Sequence, residues 1–254
     1  MTDNKSSNWQ KELGDQLKNQ APFSLLPKLD LEGWIRNSER VRFKPGQRLI
    51  RPDELNNGLI LVLKGNVRLI AYGNESEGPF SLEKRGPGQL LGWASILRGA
   101  PTEFVQASTE VVAMILPARE FVHFIKEVPS FSSYFCNLTN IQEAYAVGVA
   151  ATELEPKHPH DWRNGLLDRV REAKTISLAS NNSLNKLPEL PNGWSWHIST
   201  PEIPEIPVGT PLKAAEEYLP ERPGFQLPYR LIALPEGVVK TTDRSIKKGY
   251  IKYW

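Results

Sequence analysis

The sequence has a single cysteine, Cys136, so no disulfide can form within it. Its neighbours Tyr134, Phe135 and Leu138 mark Cys136 as a small buried hydrophobe rather than a nucleophile. No run of eighteen apolar residues occurs, which excludes a bilayer-spanning helix and direct membrane insertion. The opening stretch Met1–Asn8 is polar, with no apolar segment behind it of the kind a secretory signal needs, and the chain reads as cytoplasmic. Catalytic signatures are missing as well. There is no nucleophile elbow, no glycine-rich phosphate loop ending in Gly-Lys-Ser/Thr, no His-Glu-x-x-His and no Cys-x-x-Cys, so neither an enzyme nor a cofactor is expected. Strong charge of one sign is absent too: the formal net charge is +2, with Lys and Arg spread among acids. No nucleic-acid partner is expected on that balance. The one basic run, Arg244–Trp254 with interleaved aromatics, reads as a solvated terminal strand.

What is present is a packed globular composition. The 254 residues with 40% hydrophobic content suffice for one large or two modest domains. Asn8 to about Gln20 reads as a polar helix, and Pro22–Leu29 followed by Leu31–Asn37 as a short amphipathic entry. From Val41 the texture changes to short β-rich runs punctuated by Gly, Pro, Asn and Asp: 41–43, 49–50, 58–63, 66–72, 80–83 and 111–116. Such spacing indicates a roll or sandwich. Leu63-Lys64-Gly65-Asn66-Val67 reads as a hairpin whose glycine takes a backbone shape that a Cβ resists. From Pro129 to Leu154, Phe131, Tyr134, Phe135, Leu138, Ile141, Tyr145 and Val149 fall near helical spacing and make one apolar stripe. That stripe serves equally to pack on the roll or to pair with a second copy, giving a homodimer through 130–154.

A specific family pattern runs through this region. Phe43-x-x-Gly46-Gln47-x-Leu49, Asp53, Leu59–Leu63 with Gly65, Val67 and Leu69, then Gly86-x-Gly88-x-x-Leu91-Gly92 is similar to the cyclic-nucleotide-binding domain family. The resemblance covers about Pro22 to Ser130. It implies an eight-stranded β-roll with a short helix inserted at Gly92–Leu97, and further helices at Pro117–Ile125 and from Pro129. The expected fold class is therefore mainly β with flanking helices, with a small α+β appendage at the C-terminus.

In that family a helix N-terminus and successive backbone N–H groups cradle a phosphate, and one Arg supplies a charge-assisted fork. A Glu directly after the glycine holds the ribose. Here Gly92 keeps the glycine, but Trp93 stands at the Glu position and Thr102, after Pro101, at the Arg position. Glu103 follows, placing a carboxylate beside a site meant for an anion, where it is expected to repel one. Each lost hydrogen bond to a charged group is worth about 1.5–3 kcal/mol, so a micromolar nucleotide would weaken by about two to four decades. Three readings of the pocket stand. In the first it is vestigial, with Trp93 filling the vacated cavity from within. In the second it is repurposed for another small molecule, neutral or cationic, through Gly92, Trp93, Ala94, Ser95, Arg98, Thr102 and Glu103. In the third, true nucleotide binding is rescued by Arg98 or Arg85, although Arg98 reads more simply as a solvated loop arginine.

Glu155–Trp162, rich in Pro and polar residues, marks a boundary between units 1–154 and 155–254. His158, His160 and Asp161 lie there without matching ligands, so no metal is expected. A helix is expected at Asn164–Lys174. Beyond it, Pro188, Pro191, Pro201, Pro204, Pro207, Pro211, Pro220, Pro223 and Pro228 forbid the two long helices a helix-turn-helix reader needs. Trp194–Ile198 and Tyr229–Leu234 read as strands, and Pro207–Pro211 as a turn into Leu212–Tyr218. The altered cradle together with this proline-rich, Trp-containing segment resembles the N-terminal regulatory region of bacterial peptidase-containing ABC exporters. The expected function is a non-enzymatic regulatory or scaffold module working through a protein partner in transport or signalling. The rivals are a small-ligand sensor and a transcription regulator.

Overall fold

The computed structural model describes residues 3–72, 78–154, 162–178, 187–201, 203, 205–215 and 227–236. Helix α1 (Asp3–Leu17), a 3-10 turn (Phe23–Leu25) and α2 (Lys28–Arg36) precede the roll. Its strands are β1 (Glu39–Phe43), β2 (Arg48–Ile50), β3 (Gly58–Lys64), β4 (Val67–Tyr72), β5 (Pro79–Arg85), β6 (Leu90–Leu91), β7 (Val105–Ala107) and β8 (Val111–Pro117). Helix α3 (Trp93–Arg98) lies between β6 and β7. The expected eight-stranded roll is thus present, as two four-stranded antiparallel sheets ordered β1-β8-β3-β6 and β2-β7-β4-β5.

The long apolar runs at 59–63 and 111–116 follow from where β3 and β8 sit. Ile60 and Val62 of β3, with Val111 and Ala113 of β8, face the roll interior beside Val67, Leu69, Leu91 and Val105. Their alternates Leu59, Leu61, Met114 and Leu116 face a second core under the helices. Strands buried on both faces cannot alternate apolar with polar residues, so they read as continuous hydrophobic stretches. Trp34 anchors that second core with Phe23, Phe124 and Phe131 around it, and its indole N–H donates to the Pro117 carbonyl at 3.2 Å. Each such buried ring contributes about 1.5–3 kcal/mol of transfer free energy.

Three expectations are corrected. The chain passes through Gly65 as foreseen, at φ 88°, but β3 and β4 do not pair as a hairpin; Gly65 carries the chain from one sheet to the other. The stripe at 129–154 is two helices, α5 (Pro129–Cys136) and α6 (Ile141–Leu154). Pro129 opens α5, and Asn140 caps α6, its Oδ1 accepting the Gln142 and Glu143 N–H groups at 2.9 and 3.2 Å. The two-residue β6 and three-residue β7 were not foreseen as strands, being too short to show a period. Helix α4 (Ala118–Glu127) matches expectation.

After α7 (Trp162–Glu172) the chain turns at once into β9 (Lys174–Leu178), where helix was expected to continue to Lys174. With β10 (Trp194–Ile198) and β11 (Tyr229–Pro235) it forms a three-stranded antiparallel sheet ordered β10-β11-β9. Within the described residues, the turn at 207–211 leads into helix α8 (Leu212–Ala215). In β11, Tyr229, Leu231 and Ala233 pack on Trp196, Ile198 and Leu212. Ile232 and Leu234 face the other way, onto Ala144, Tyr145, Val147 and Leu166 of α6 and α7. Part of the apolar face of α6 is thereby covered by its own chain. Cys136 is half-buried, its Sγ 3.7 Å from Ser132 Oγ. Residues 155–161, which include the expected boundary with His158, His160 and Asp161, and the run 244–254 lie outside the described residues.

A Cβ on Gly65 would strike the Glu110 carbonyl as well as sit at a left-handed φ. Gly65→Ala should therefore destabilise by about 2 kcal/mol or more, read as a lower urea midpoint. Gly46→Ala, at a similar φ with nothing within 4 Å of the added Cβ, should cost less.

Candidate functional site

The turn that resembles a phosphate cradle is built as its sequence implies. Gly92 takes φ 86° at the N-cap of α3 and turns its N–H inward; a Cβ there would stand 2.5 Å from the Asn56 amide. What fills the cradle is the carboxylate of Glu103. Its Oε1 accepts the Gly92 N–H at 2.9 Å and the Asn140 side-chain amide at 3.0 Å. Its Oε2 accepts the Ser95 N–H at 3.1 Å and the Ser95 hydroxyl at 3.2 Å. The Ser95 oxygen in turn accepts the Thr102 and Glu103 N–H groups at 3.3 and 3.1 Å, so its hydrogen is committed to Glu103. All four groups around the carboxylate donate to it. The expected repulsion is corrected by this geometry: the chain's own carboxylate is the anion the cradle holds.

Glu103 is 1% exposed, and burial raises its carboxyl above the ordinary value of 4.5, with the Ser95 and Gly92 N–H groups, the Ser95 hydroxyl and Asn140 opposing the rise.

Trp93 does not fill the roll interior. It is buried in the helical core, its ring 5.5 Å from Phe135 of α5, with the Arg230 guanidinium 5.6 Å over it. Ala94 and Ser95 are also buried. Nor is Arg98 a solvated loop residue: its Nε donates to the Ser199 carbonyl at 2.6 Å and its Nη1 to Thr102 Oγ1 at 3.0 Å. Thr102 Oγ1 donates onward to the Ala100 carbonyl at 3.0 Å. Arg85 bonds Glu83 and Gln89 instead of the cradle.

Residues that sequence reasoning did not single out complete the site. Asn140 joins Glu103 to the start of α6, and one turn into that helix Glu143 meets Arg230 of β11. Arg230 Nε and Nη2 reach Glu143 Oε1 and Oε2 at 2.8 and 2.7 Å, with both side chains fully buried. Ser199 donates to Glu143 at 2.7 Å, and the remaining guanidinium hydrogens find the Phe135 and Leu138 carbonyls and Ser177. Burial alone would raise Glu143, but the charge and hydrogen bonds of Arg230 outweigh it and hold the carboxyl below its ordinary 4.5. A usable signal existed: Asn140 followed three residues later by Glu143 is a helix-start pattern. Nothing local to Arg230 announced its burial. Among the described residues no group of three or more His, Cys, Asp or Glu is arranged to hold a metal ion.

A roll of two four-stranded sheets carrying a glycine-capped anion cradle defines a class. Residues 40–128 match the family model described as Cyclic nucleotide-binding domain. Among solved structures, a regulatory subunit of a cAMP-independent protein kinase A from Trypanosoma brucei, in a mutant form bound to cAMP in the A site, is 23% identical over 51% of this chain and 52% of that one, with a TM-score of 0.41. The chain thus spans about half the length of that subunit. The sensor domain of the transcriptional regulator DNR from Pseudomonas aeruginosa is 15% identical over 50% of this chain and 85% of that one, at TM-score 0.46. A cyclic nucleotide-binding domain from Methylobacillus flagellatus is 16% identical over 50% and 71%, at TM-score 0.40. No curated protein matches, so the resemblance to exporters finds no support. No described helix is long and apolar enough to cross a membrane.

Two predictions follow from the buried carboxylates. Arg230→Met alone should cost about 3–5 kcal/mol in urea denaturation by stranding Glu143, and Arg230→Met with Glu143→Leu should recover most of that. The two acids should also show opposite pH slopes. Glu143, depressed in the fold, contributes stability above pH 4.5 that is lost as pH falls through its folded value. Glu103, raised, contributes stability below pH 4.5 that is withdrawn as pH rises through its folded value, so Glu103→Gln should lose that slope. Stability measured against pH for each variant separates the two.

Proposed function

We propose that this chain is a non-enzymatic regulatory or scaffold module whose cyclic-nucleotide-binding-like roll does not bind cAMP or cGMP tightly. It acts instead through contacts with a protein partner in transport or signalling. The observation that carries this reading is Glu103, whose carboxylate takes the Gly92 and Ser95 N–H groups that an incoming phosphate would need. A nucleotide would have to displace a buried, four-bonded carboxylate, and it would find Trp93 and Thr102 where family members place Glu and Arg. Any other small molecule using Gly92, Trp93, Ala94, Ser95, Arg98, Thr102 and Glu103 faces the same competition, because these side chains bond to one another or pack in the core.

The reading extends to the whole chain: residues 1–154 are the roll with its helices, residues 155–254 an α+β unit docked on it, and the cytoplasm its location. A transcription regulator of the cyclic-AMP receptor type is disfavoured because, among the described residues, α7 is followed directly by β9 rather than by a second helix. The same reading leaves nucleic acid aside as a partner. A homodimer through 130–154 is disfavoured, since Tyr145, Val147 and Val149 are buried within the chain.

Calorimetry with cAMP and cGMP tests the proposal. No saturable heat is expected below roughly 100 μM ligand, and clear micromolar binding by the unaltered chain would overturn it. Thr102→Arg with Glu103→Ala, which restores the guanidinium and empties the cradle, should improve cAMP binding by at least about tenfold, since one charge-assisted bond is worth about 1.5–3 kcal/mol.

A further inference from the structure

The sheet β2-β7-β4-β5 turns its core face inward through Val67, Leu69 and Val105, and its opposite face carries an unusual row. The register sets Arg48 of β2 beside Gln106 of β7, Gln106 beside Arg68 of β4, and Arg68 beside Lys84 of β5. Arg48, Arg68 and Lys84 are all exposed, and none has an ion pair among the described residues. Asp53 feels the charge of Arg48 but is held by Arg51 through bonds of 3.2 and 2.9 Å. Like charges set directly opposite across a strand pair are destabilising, so Arg68 facing Lys84 is a cost the fold carries without a partner of its own. At one strand spacing per step the row spans roughly 15 Å.

Beside the row lies a groove of about 250 Å³, lined by Arg48, Arg68, Tyr72, Phe80, Ser81 and Phe104. Tyr72 is 50% exposed and stacks on Phe104 with ring centres 5.6 Å apart and planes at 16°. Arg48 lies 5.5 Å over the Phe104 ring, which leaves its charge oriented at the groove's aromatic floor.

We propose that this face docks an acidic segment of a partner protein that carries an aromatic side chain, its carboxylates along Arg48, Arg68 and Lys84 and its ring against Tyr72. Charge complementarity sets the sign of the partner. The single exposed ring favours a peptide over a single-stranded nucleic acid, which needs successive stacking platforms, and Phe104 is too buried to be a second one. The inference rests on the reading of the chain as a module that works through a protein partner. It places the contact on the roll, away from the filled cradle.

The test uses the full chain and a random glutamate–tyrosine copolymer, with binding followed by interferometry at increasing salt. Saturable binding that weakens with salt is expected. Arg48→Glu with Arg68→Glu should weaken it more than tenfold, Arg68→Gln with Lys84→Gln and Tyr72→Ala several-fold each, and Arg119→Glu, charge-matched to the double Gln variant, not at all. Short oligothymidylate should not compete. Four results would overturn the proposal: no copolymer binding; equal loss in Arg119→Glu; preference for oligothymidylate; or self-association abolished by the groove variants, which would give the groove to a second copy. Micromolar cAMP binding would instead overturn the reading of the cradle and leave the copolymer result standing, so the two failures are distinguishable.

Discussion

A carboxylate removed from water must be surrounded by donors, and Glu103 meets that requirement with groups drawn from three residues in two parts of the chain. The Gly92 and Ser95 N–H groups come from the turn into α3, the hydroxyl from Ser95, and the amide from Asn140 at the start of α6. Removing any one leaves the others facing a less tenable charge in a medium of low dielectric. The same turn that would receive a ligand's phosphate is thereby locked to the helix that follows the roll.

From Asn140 the polar chain continues. Its amide side chain caps α6 while bonding Glu103, and within the first turn of α6 Glu143 binds Arg230. Arg230 is saturated by Glu143, by two backbone carbonyls and by Ser177. It also covers the face of Trp93 in α3. Arg98, at the other end of α3, bonds the backbone just after β10. The short cradle helix is thus held at both ends by the C-terminal sheet. A buried ion pair of this kind is a poor source of net stability, because desolvation offsets the attraction, but removing either partner strands a buried charge. The tyrosine, isoleucine and leucine contacts of β11 supply the bulk of the adhesion.

Much of the roll was legible from residue pattern. Gly46, Gly65, Gly88 and Gly92 all take positive φ, which is why their spacing survives as a readable signature. Strands β3, β4 and β8 announced themselves because burial demands apolar side chains over several consecutive or alternate positions. The short β6 and β7 did not, since two or three residues carry no period. The break between α5 and α6 was hidden because Phe131, Phe135, Tyr145 and Val149 are all buried, although against different neighbours, and a stripe on paper does not say how many helices present it. At the cradle, the departures at Trp93, Thr102 and Glu103 were visible as residues, but their meaning was not. Glu103 was read as repelling an anion; it is the anion.

The long strands β3, β4 and β8, the glycine-capped turn and the absence of the usual nucleotide anchors were determined by the sequence alone, because each depends on local residue pattern, backbone preference and residue type at a fixed offset. Where Glu103 points, which core receives Trp93, which carboxylate meets Arg230 and which cations line up across β2, β4 and β5 were decided only by the tertiary structure. Those contacts join residues as far apart in sequence as Trp93 and Arg230, and their energies exist only once burial has removed water and folding has brought the partners within reach.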